Sequence, residues 1–227
     1  MLCIIWSVNS IRQIQEAVGK LSPAERGELR QWLDLEQQIC DVTESVGKLV
    51  EGHAIWWEIM NPKTGRFDGV RREYLNFFQP VCYSFVQGFY VISFKLFDSR
   101  ADSTHIHSLI NEVSVKNSGL ANQLKSEIHN YPGRQRISTI RHKIFAHQDR
   151  LLNLYQILKR NPIVIKEMKE TVFFIENIVS TVVDALGGDK KTKTMQTFSE
   201  RENSATKATL QILNALARDL KRENPNG

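Results

Sequence analysis

The sequence predicts an all-α fold, an antiparallel helical bundle, and three observations support this prediction. Apolar residues recur at intervals of three and four in every long segment, which is the period of a helix that buries one face. Runs that alternate apolar and polar residues, as half-buried strands do, do not occur in the sequence. Turn residues such as Asn61-Pro62 and Gly187-Gly188 separate the periodic segments.

Length and composition are those of an ordinary soluble globular protein. The 227 residues, of which 41% are hydrophobic and 24% charged, suffice for one large domain or for one domain with an appendage. The net charge of +5 and the isoelectric point near 9.1 fit a nucleic-acid partner without requiring one. Three cysteines without metal-ligand spacing predict reduced thiols and a cytoplasmic location. The most apolar run, residues 81–97, is interrupted by Gln87 and Lys95 and is too short to span a bilayer, so no membrane association is expected.

Residues 1–36 predict an amphipathic helical hairpin. Ser10 is expected to cap the first helix, and Ser22-Pro23-Ala24-Glu25 has the pattern of a capping box at the start of the second. In this pattern serine and glutamate satisfy backbone N–H groups, and proline removes one. We expect the hairpin either to cover the bundle or to serve in dimerisation or in docking a partner protein.

Residues 37–188 predict the helical bundle itself. Its longest apolar segment runs over Val70–Asp98, where Pro80 is expected to kink the helix or to mark its true start. Residues 189–227 predict a basic linker, Asp189–Thr194, followed by an amphipathic helix over Phe198–Leu220 that packs on the bundle or on a second chain. The other helices of the bundle are expected over Val42–Met60, from near Ser103, through Ile137–Leu158, and from Asn161-Pro162 to Gly187-Gly188.

The pair His105 and His107 invites a metal hypothesis, with His129 as a third ligand. Alternate residues suit the geometry of a strand, whereas this stretch is predicted to be a loop that enters a helix. No carboxylate or cysteine nearby completes a coordination set. The sequence therefore does not predict a metal site here.

One stretch, residues 137–149, combines the helical pattern with the reactive side chains of Arg141, His142 and His147. At ~100° per residue, His147 falls within the apolar stripe and Arg141 falls at its edge, roughly 120° away. The two side chains do not face each other on a regular helix, because that requires a spacing of three or four. His147 is then a hydrogen-bonded core histidine beside a surface arginine, or it belongs to a site that is completed where the helix ends near Ala146 or by a second copy of the chain.

The segment Arg141-His-Lys-Ile-Phe-Ala-His-Gln-Asp149 resembles the R-x(4 to 6)-H signature of the HEPN superfamily, and looks most like its abortive-infection, AbiU-type branch. A second match lies upstream, where residues 97–110 are similar to the "L-F-D…D-T-x-S-L-x-x-L-L" segment of that branch. The two segments occur in the same order, and the resemblance extends over residues 39–188. His142 stands where that branch usually has asparagine, and Gln148 where it often has a basic residue.

The resemblance implies a metal-independent endoribonuclease that needs no cofactor, built from an all-helical domain in which two copies usually form one cleft. It implies RNA as substrate, a homodimer, a toxin-like or phage-defence role, and a cognate antitoxin or another partner protein. His147 would act as general base or general acid on the ribose 2′-hydroxyl or the leaving oxygen. Arg141 would stabilise charge on phosphorus, and His142 would be an orienting donor.

The charge around this stretch agrees with an RNA substrate. No Asp or Glu occurs between residues 128 and 148, whereas Arg134, Arg136 and Lys143 join Arg141 there. These three residues are predicted to bind substrate phosphates, and the alternative is a solvated basic loop that leads into a helix. The alternative function is a non-catalytic helical module that binds RNA or another protein.

Overall fold

The computed structural model describes residues 8–60, 67–100, 105–146, 165–187 and 190–223. Within these ranges the chain forms nine helices and no strand, which confirms the predicted all-α fold. None of the helices so described is long and apolar enough to cross a membrane. The helices are α1 (Val8–Gly19), α2 (Pro23–Met60), α3 (Asp68–Glu73), α4 (Leu75–Phe97), α5 (Ile106–Lys116), α6 (Ser118–Asn130), α7 (Pro132–Ala146), α8 (Ile165–Gly187) and α9 (Lys190–Glu223).

The chain divides into two compact units, Met1–Cys40 and Asp41–Gly227. In the first unit, α2 begins with the predicted capping box. The backbone N–H of Glu25 donates to Ser22 Oγ (3.3 Å), and the backbone N–H of Ser22 donates to Glu25 Oε2 (2.7 Å). These two bonds satisfy donors that have no partner within the helix.

Helix α2 continues without a break to Met60. The prediction that the hairpin ends at residue 36 and that a separate helix begins at Val42 is therefore wrong. No glycine or proline occurs between Gly27 and Gly47, and most of the intervening residues are good helix formers. The apolar pattern alone could not distinguish one long helix from two consecutive ones.

The segment predicted as one helix over Val70–Asp98 is two helices, α3 and α4, joined at Tyr74. The N–H of Tyr74 donates to Val70 O (2.9 Å), and Tyr74 O accepts from the N–H groups of Phe77 and Phe78 (3.0 Å each). Pro80 does not mark the start of α4, because it lies in the second turn. There it removes only one backbone hydrogen bond of the helix.

The remaining helix ends either differ from the sequence prediction or lie beyond the described residues. Helix α1 begins at Val8, so Ser10 lies within its first turn and the prediction that Ser10 caps this helix is wrong. Helix α5 begins at Ile106 rather than near Ser103, and α8 ends at Gly187 as predicted. The predicted start of α8 at Asn161-Pro162 and the part of the motif helix after Ala146 fall outside the described residues.

The linker predicted over Asp189–Thr194 is wrong, because α9 is helical from Lys190. Neither glycine nor proline occurs from Asp189 to Asn224, so nothing in that segment ends a helix.

The core of the second unit lies around α5 and α8. Helix α5 packs on α6 and on α8, α8 packs on α9, and α4 packs on α7. Arg201 of α9 makes ion pairs with Glu44 (2.6 Å) and Glu51 (3.4 Å) of α2, and so links these two helices. Side chains at helical spacing on α5 and α8 are completely buried: Ile106, Leu109, Ile110, Val113, Ile175, Val179 and Val182.

Candidate functional site

Helix α7 carries the described part of the predicted site, and its apolar face is anchored in the core. Ile137 and Ile140 are buried, as their helical spacing predicted. Because α7 packs on α4, the opposite face of α7 points away from the core. That opposite face contains residues at positions 134, 135, 138, 139 and 142, which lie within ~140° of one another on a helical wheel.

The start of α7 is fixed by Tyr131. Its ring stacks on Phe174 of α8 with the centroids 4.1 Å apart and the planes 6° from parallel. Its hydroxyl donates to Thr171 Oγ1 (2.8 Å), and Thr171 in turn donates to Glu167 O (2.8 Å). Burial raises the pKa of Tyr131, so the phenol keeps its proton near neutral pH. Gly133 leaves room for this ring, because a Cβ at that position would stand 2.5 Å from Tyr131 Cε1.

Arg141 and His142 both contact the ring of Phe94 on α4. The guanidinium carbon of Arg141 lies 4.3 Å from the centroid of that ring, in the geometry of a cation–π interaction. The His142 ring meets the same phenyl ring edge-on at 6.1 Å and is otherwise exposed. Phe94 therefore restrains the guanidinium of Arg141 and leaves His142 on the outer face of α7.

Arg136 is used within the fold. Its guanidinium makes an ion pair of 2.6 Å with Glu167 and thereby links α7 to α8. The two side chains are 34% and 45% exposed, so solvent weakens this pair and its net contribution to stability is small. The predicted role of Arg136 in binding substrate stays a prediction. In this structure its guanidinium is paired with the carboxylate of Glu167.

Arg134 differs from Arg136, because no carboxylate among the described residues pairs with it. It is partly exposed, and after burial its positive charge is the largest cause that lowers the pKa of His107. A cation whose charge is not neutralised by the protein attracts anions. Of the three predicted phosphate-binding residues, Arg134 is therefore the best placed within the described part of the chain.

Arg134 lines a groove between the end of α6 and the outer face of α7. The groove has a volume of about 450 Å³ and is open to solvent. Six of the eight residues that line the groove have polar or charged side chains, and none of the eight is acidic. The other two are Tyr131 and Pro132. The lining residues are His129, Asn130, Tyr131, Pro132, Arg134, Gln135, Ser138 and Thr139.

His105 caps α5 and uses both ring nitrogens to do so. Its Nδ1 accepts from the backbone N–H of Ser108 (2.9 Å), and its Nε2 lies 2.6 Å from the carbonyl oxygen of Arg100, to which it donates. A nitrogen that donates a proton and one that already accepts a hydrogen bond are both unavailable to a metal ion. The His107 ring lies 6.0 Å away, and burial lowers its pKa. This geometry favours a capping role for His105 over metal binding.

Two predicted site residues cannot be placed in this geometry. His147 lies outside the described residues, and so does the side chain of Lys143, although its backbone belongs to α7. The structure therefore brings Arg141 and His142 together at Phe94 and places Arg134 in the groove. The distance between Arg141 and His147, on which the predicted chemistry depends, stays a prediction.

Sequence reasoning missed the residues that hold the site from other helices. In the sequence, Phe94 is only one of the apolar residues within Val70–Asp98, and no pattern of spacing marks Glu167 and Tyr131 as supports for α7. The spacing within one helix says which face is apolar but not which residue of another helix meets it. The one available signal was the aromatic Tyr131 directly before the turn residue Pro132.

No known protein family, curated protein or solved structure matches this chain. The resemblance to the HEPN superfamily consequently depends on the two sequence motifs alone.

Proposed function

We propose that this protein is a metal-independent endoribonuclease of the HEPN type, with a toxin-like or phage-defence role. The observation that supports this best is the outer face of α7, which is polar, lacks carboxylates and ends at Arg141 and His142 against Phe94. A surface of this kind attracts a polyanion and holds a guanidinium beside it. The R-x(4 to 6)-H motif then supplies the second catalytic group, His147.

In the proposed reaction RNA supplies its own nucleophile. A general base removes the proton of the ribose 2′-hydroxyl, and the 2′-oxygen forms a bond to the adjacent phosphorus. The bond from phosphorus to the 5′-oxygen of the next nucleotide breaks, and a general acid protonates that oxygen. The products are a 2′,3′-cyclic phosphate and a 5′-hydroxyl, and no metal-bound water is required.

Each motif residue has a role in this reaction. Histidine exchanges a proton near neutral pH, so His147 is assigned as the general base or acid. Arg141, restrained by Phe94, stabilises the negative charge that develops on the phosphate oxygens. The exposed His142 orients the phosphate or donates to it. Arg134, Arg136 and Lys143 are assigned to binding the phosphates of flanking nucleotides.

The proposal includes a homodimer in the cytoplasm. Arg141 and His147 fall on different sides of a regular helix, so a second copy of the motif is the simplest way to bring a guanidinium and an imidazole to one phosphate. A toxin-like nuclease also requires control, and a cognate antitoxin is the proposed partner.

One observation favours the alternative, a non-catalytic module that binds RNA or protein through the same fold. Arg136 is paired with Glu167, and Arg141 lies on Phe94, so both arginines have contacts that also serve packing. If these contacts are their whole purpose, the chain has no reactive pair. The two functions differ in whether RNA is cut.

Incubation of the purified protein with total RNA in excess chelator tests the proposal. We expect cleavage by wild type, a loss of at least about 10²-fold in His147→Ala because a general acid–base group is removed, and a comparable loss in Arg141→Ala. Arg218→Ala changes an exposed arginine of α9 and serves as the control for lost positive charge, with wild-type cleavage expected. Absence of cleavage in all samples, or equal cleavage by wild type and His147→Ala, would remove the motif from the reaction.

A further inference from the structure

The groove beside Arg134 has features that phosphate binding alone does not require. Besides the one arginine it presents two amide side chains, Asn130 and Gln135, and two hydroxyl side chains, Ser138 and Thr139. An amide carries a donor pair and an acceptor on one flat group, which matches the donor and acceptor pattern along the edge of a nucleobase. Amide and hydroxyl side chains also contact phosphate oxygens, so this lining suits a nucleotide, which presents both a phosphate and the edge of a base.

These polar groups are available to a ligand. Gln135 and Ser138 make no side-chain hydrogen bond with the residues that the structure describes, and Gln135 is exposed. Asn130 donates to Ser126 Oγ (3.2 Å) through its nitrogen, which leaves its carbonyl oxygen to accept a bond from a ligand. Thr139 donates to Gln135 O (2.9 Å) and keeps its oxygen lone pairs for the solvent side.

The groove also lies on the same face of α7 as His142 of the motif. Arg134, Ser138 and His142 follow one another at intervals of four residues, so they lie on one face of the helix. Arg134 and His142 are eight residues apart, which is about 12 Å along the helix axis. A strand that passes from the groove toward Arg141 therefore stays on one exposed face and meets no carboxylate of α7.

We infer that the groove formed by the end of α6 and the outer face of α7 binds one nucleotide of single-stranded RNA, with Arg134 on its phosphate and Gln135 and Asn130 on the edge of its base. The inference rests on the proposed function, because it assigns part of the same RNA substrate. The volume of about 450 Å³ lies within the roughly 300–1,000 Å³ of small-ligand sites and suits one nucleotide. Single-stranded RNA is the substrate class, since paired bases do not expose these edges to side chains. The groove thereby gives the enzyme a preference for the base at one position beside the cut.

Binding is measured separately from cleavage by fluorescence anisotropy of short homopolymers of A, C and U that carry 2′-O-methyl groups. A methylated 2′-oxygen cannot attack phosphorus, so the full-length wild-type protein leaves these oligonucleotides intact. We expect wild type to prefer one homopolymer. Arg134→Gln should weaken binding of all three about tenfold and reduce by about one the slope of log Kd against log salt. Gln135→Ala should weaken the preferred homopolymer about tenfold and leave that slope unchanged.

Two control variants show whether these effects belong to the groove. Gln123→Ala removes an exposed amide of α6 that bonds Glu127 (2.9 Å) and lies outside the groove, and Arg218→Gln removes an exposed cation of α9. Both should bind as wild type does. In cleavage of unmodified RNA, Gln135→Ala should raise KM for the preferred sequence and leave kcat within about twofold of wild type, because its contact is uniform in ground and transition states.

The outcomes separate this inference from the proposed function. If His147→Ala abolishes cleavage but the Arg134 and Gln135 variants bind as their controls do, the nuclease stands and the groove assignment is wrong. If the groove variants weaken binding as expected but wild type does not cut RNA, the site stands and the nuclease is wrong. Equal binding of the three homopolymers by wild type, no binding of any, or competition by an acidic peptide but not by mononucleotides would overturn the nucleotide assignment.

Discussion

His53 lies on α2 in the apolar core of the second unit, among the aromatic rings of Trp56 and Trp57. The ring centroids are 6.4 and 6.3 Å apart, and the Nε2 atom of His53 is buried without a hydrogen-bond partner among the described residues. Burial, and after it the positive charge of Lys169, lowers the pKa of His53 to about 4. The core thus holds an imidazole that stays neutral well below its ordinary pKa of 6.5.

This burial predicts an acid-sensitive fold. The unfolded chain takes up a proton at His53 near pH 6.5, whereas the folded protein does so only near pH 4, so the free energy of unfolding falls as the pH drops through this interval. His53→Phe removes the titration and should reduce the loss between pH 7 and pH 4 by about 1 to 3 kcal/mol. Urea denaturation followed by circular dichroism at several pH values measures the free energy of unfolding of the two proteins. Parallel plots of this free energy against pH for wild type and His53→Phe would contradict the expectation.

Glu176 on α8 acts in the opposite direction. Burial, and after it the charge of Glu202 on α9, raises the pKa of Glu176 to about 7. Its contribution to stability is full below the unfolded pKa near 4.5 and is lost as the pH rises toward 7. The pH dependence of the free energy of unfolding of the wild-type protein therefore reflects two opposing effects, one from His53 and one from Glu176. Only the comparison of wild type with His53→Phe isolates the histidine.

At the scale of helices, two glycines of α2 allow close contacts within the second unit. Gly52 lies against the ring of Phe85, and Gly47 lies beneath the side chain of Arg201, which crosses it to reach Glu44 and Glu51. A Cβ at position 47 would stand 2.7 Å from Arg201 Cζ, so the guanidinium would have to move. The contact between α2 and α9 thus depends on a residue without a side chain.

Gly47→Ala should therefore stabilise the protein less than the helix propensity of alanine alone predicts. We expect a change in the free energy of unfolding within about 0.5 kcal/mol of zero, because a gain of ~1 kcal/mol in helix propensity is offset by displacement of the guanidinium of Arg201 and its partly exposed ion pairs. Gly88→Ala on α4 is the matched control, because a Cβ there meets nothing within 4 Å. It should stabilise by up to ~1 kcal/mol. Equal changes in the urea midpoint of both variants would contradict this account.

A second prediction at the scale of helices concerns the contact of Phe94 on α4 with Arg141 on α7. Phe94→Leu keeps apolar contact with α7 but removes the π face beneath Arg141, so RNA cleavage at saturating substrate should fall on the order of tenfold. The free energy of unfolding should change by less than about 1.5 kcal/mol. Phe77→Leu, on the same helix and 60% exposed, is the control and should cleave as wild type does. Loss of cleavage in both variants would indicate a general effect on α4 and would contradict the role of Phe94 in positioning Arg141.

Local features of these helices could be predicted from the sequence, and contacts between helices could not. The capping box of Ser22 and Glu25 was predictable because both partners lie within one turn, and Gly187 ended α8 for a similarly local reason. The break at Tyr74 was not predictable, since the apolar pattern runs through it. The positions of Phe94 and Glu167 against α7 depend on how whole helices pack, which no local pattern encodes.

For the whole molecule, the net charge says less about where a polyanion would bind than the distribution of charged residues along the chain does. The net charge of +5 is modest, but α7 has five cationic or imidazole residues and no carboxylate. The structure assigns different contacts to these residues, because Arg136 bonds a glutamate and Arg134 does not. The sequence predicts that α7 binds RNA, and the structure shows that Arg136 pairs with a carboxylate whereas Arg134 pairs with none among the described residues.

The identity of the fragment ends tests the central proposal most directly. A defined single-stranded RNA, incubated with the protein in chelator and analysed by mass spectrometry, should yield fragments with a 2′,3′-cyclic phosphate on one side and a 5′-hydroxyl on the other. A 2′-deoxy substitution at the cut position should abolish that cut, because it removes the attacking oxygen, and Arg141→Ala or His147→Ala should remove all such fragments. Fragments with 5′-phosphates, or cutting that persists at the 2′-deoxy position, would contradict attack by the 2′-hydroxyl.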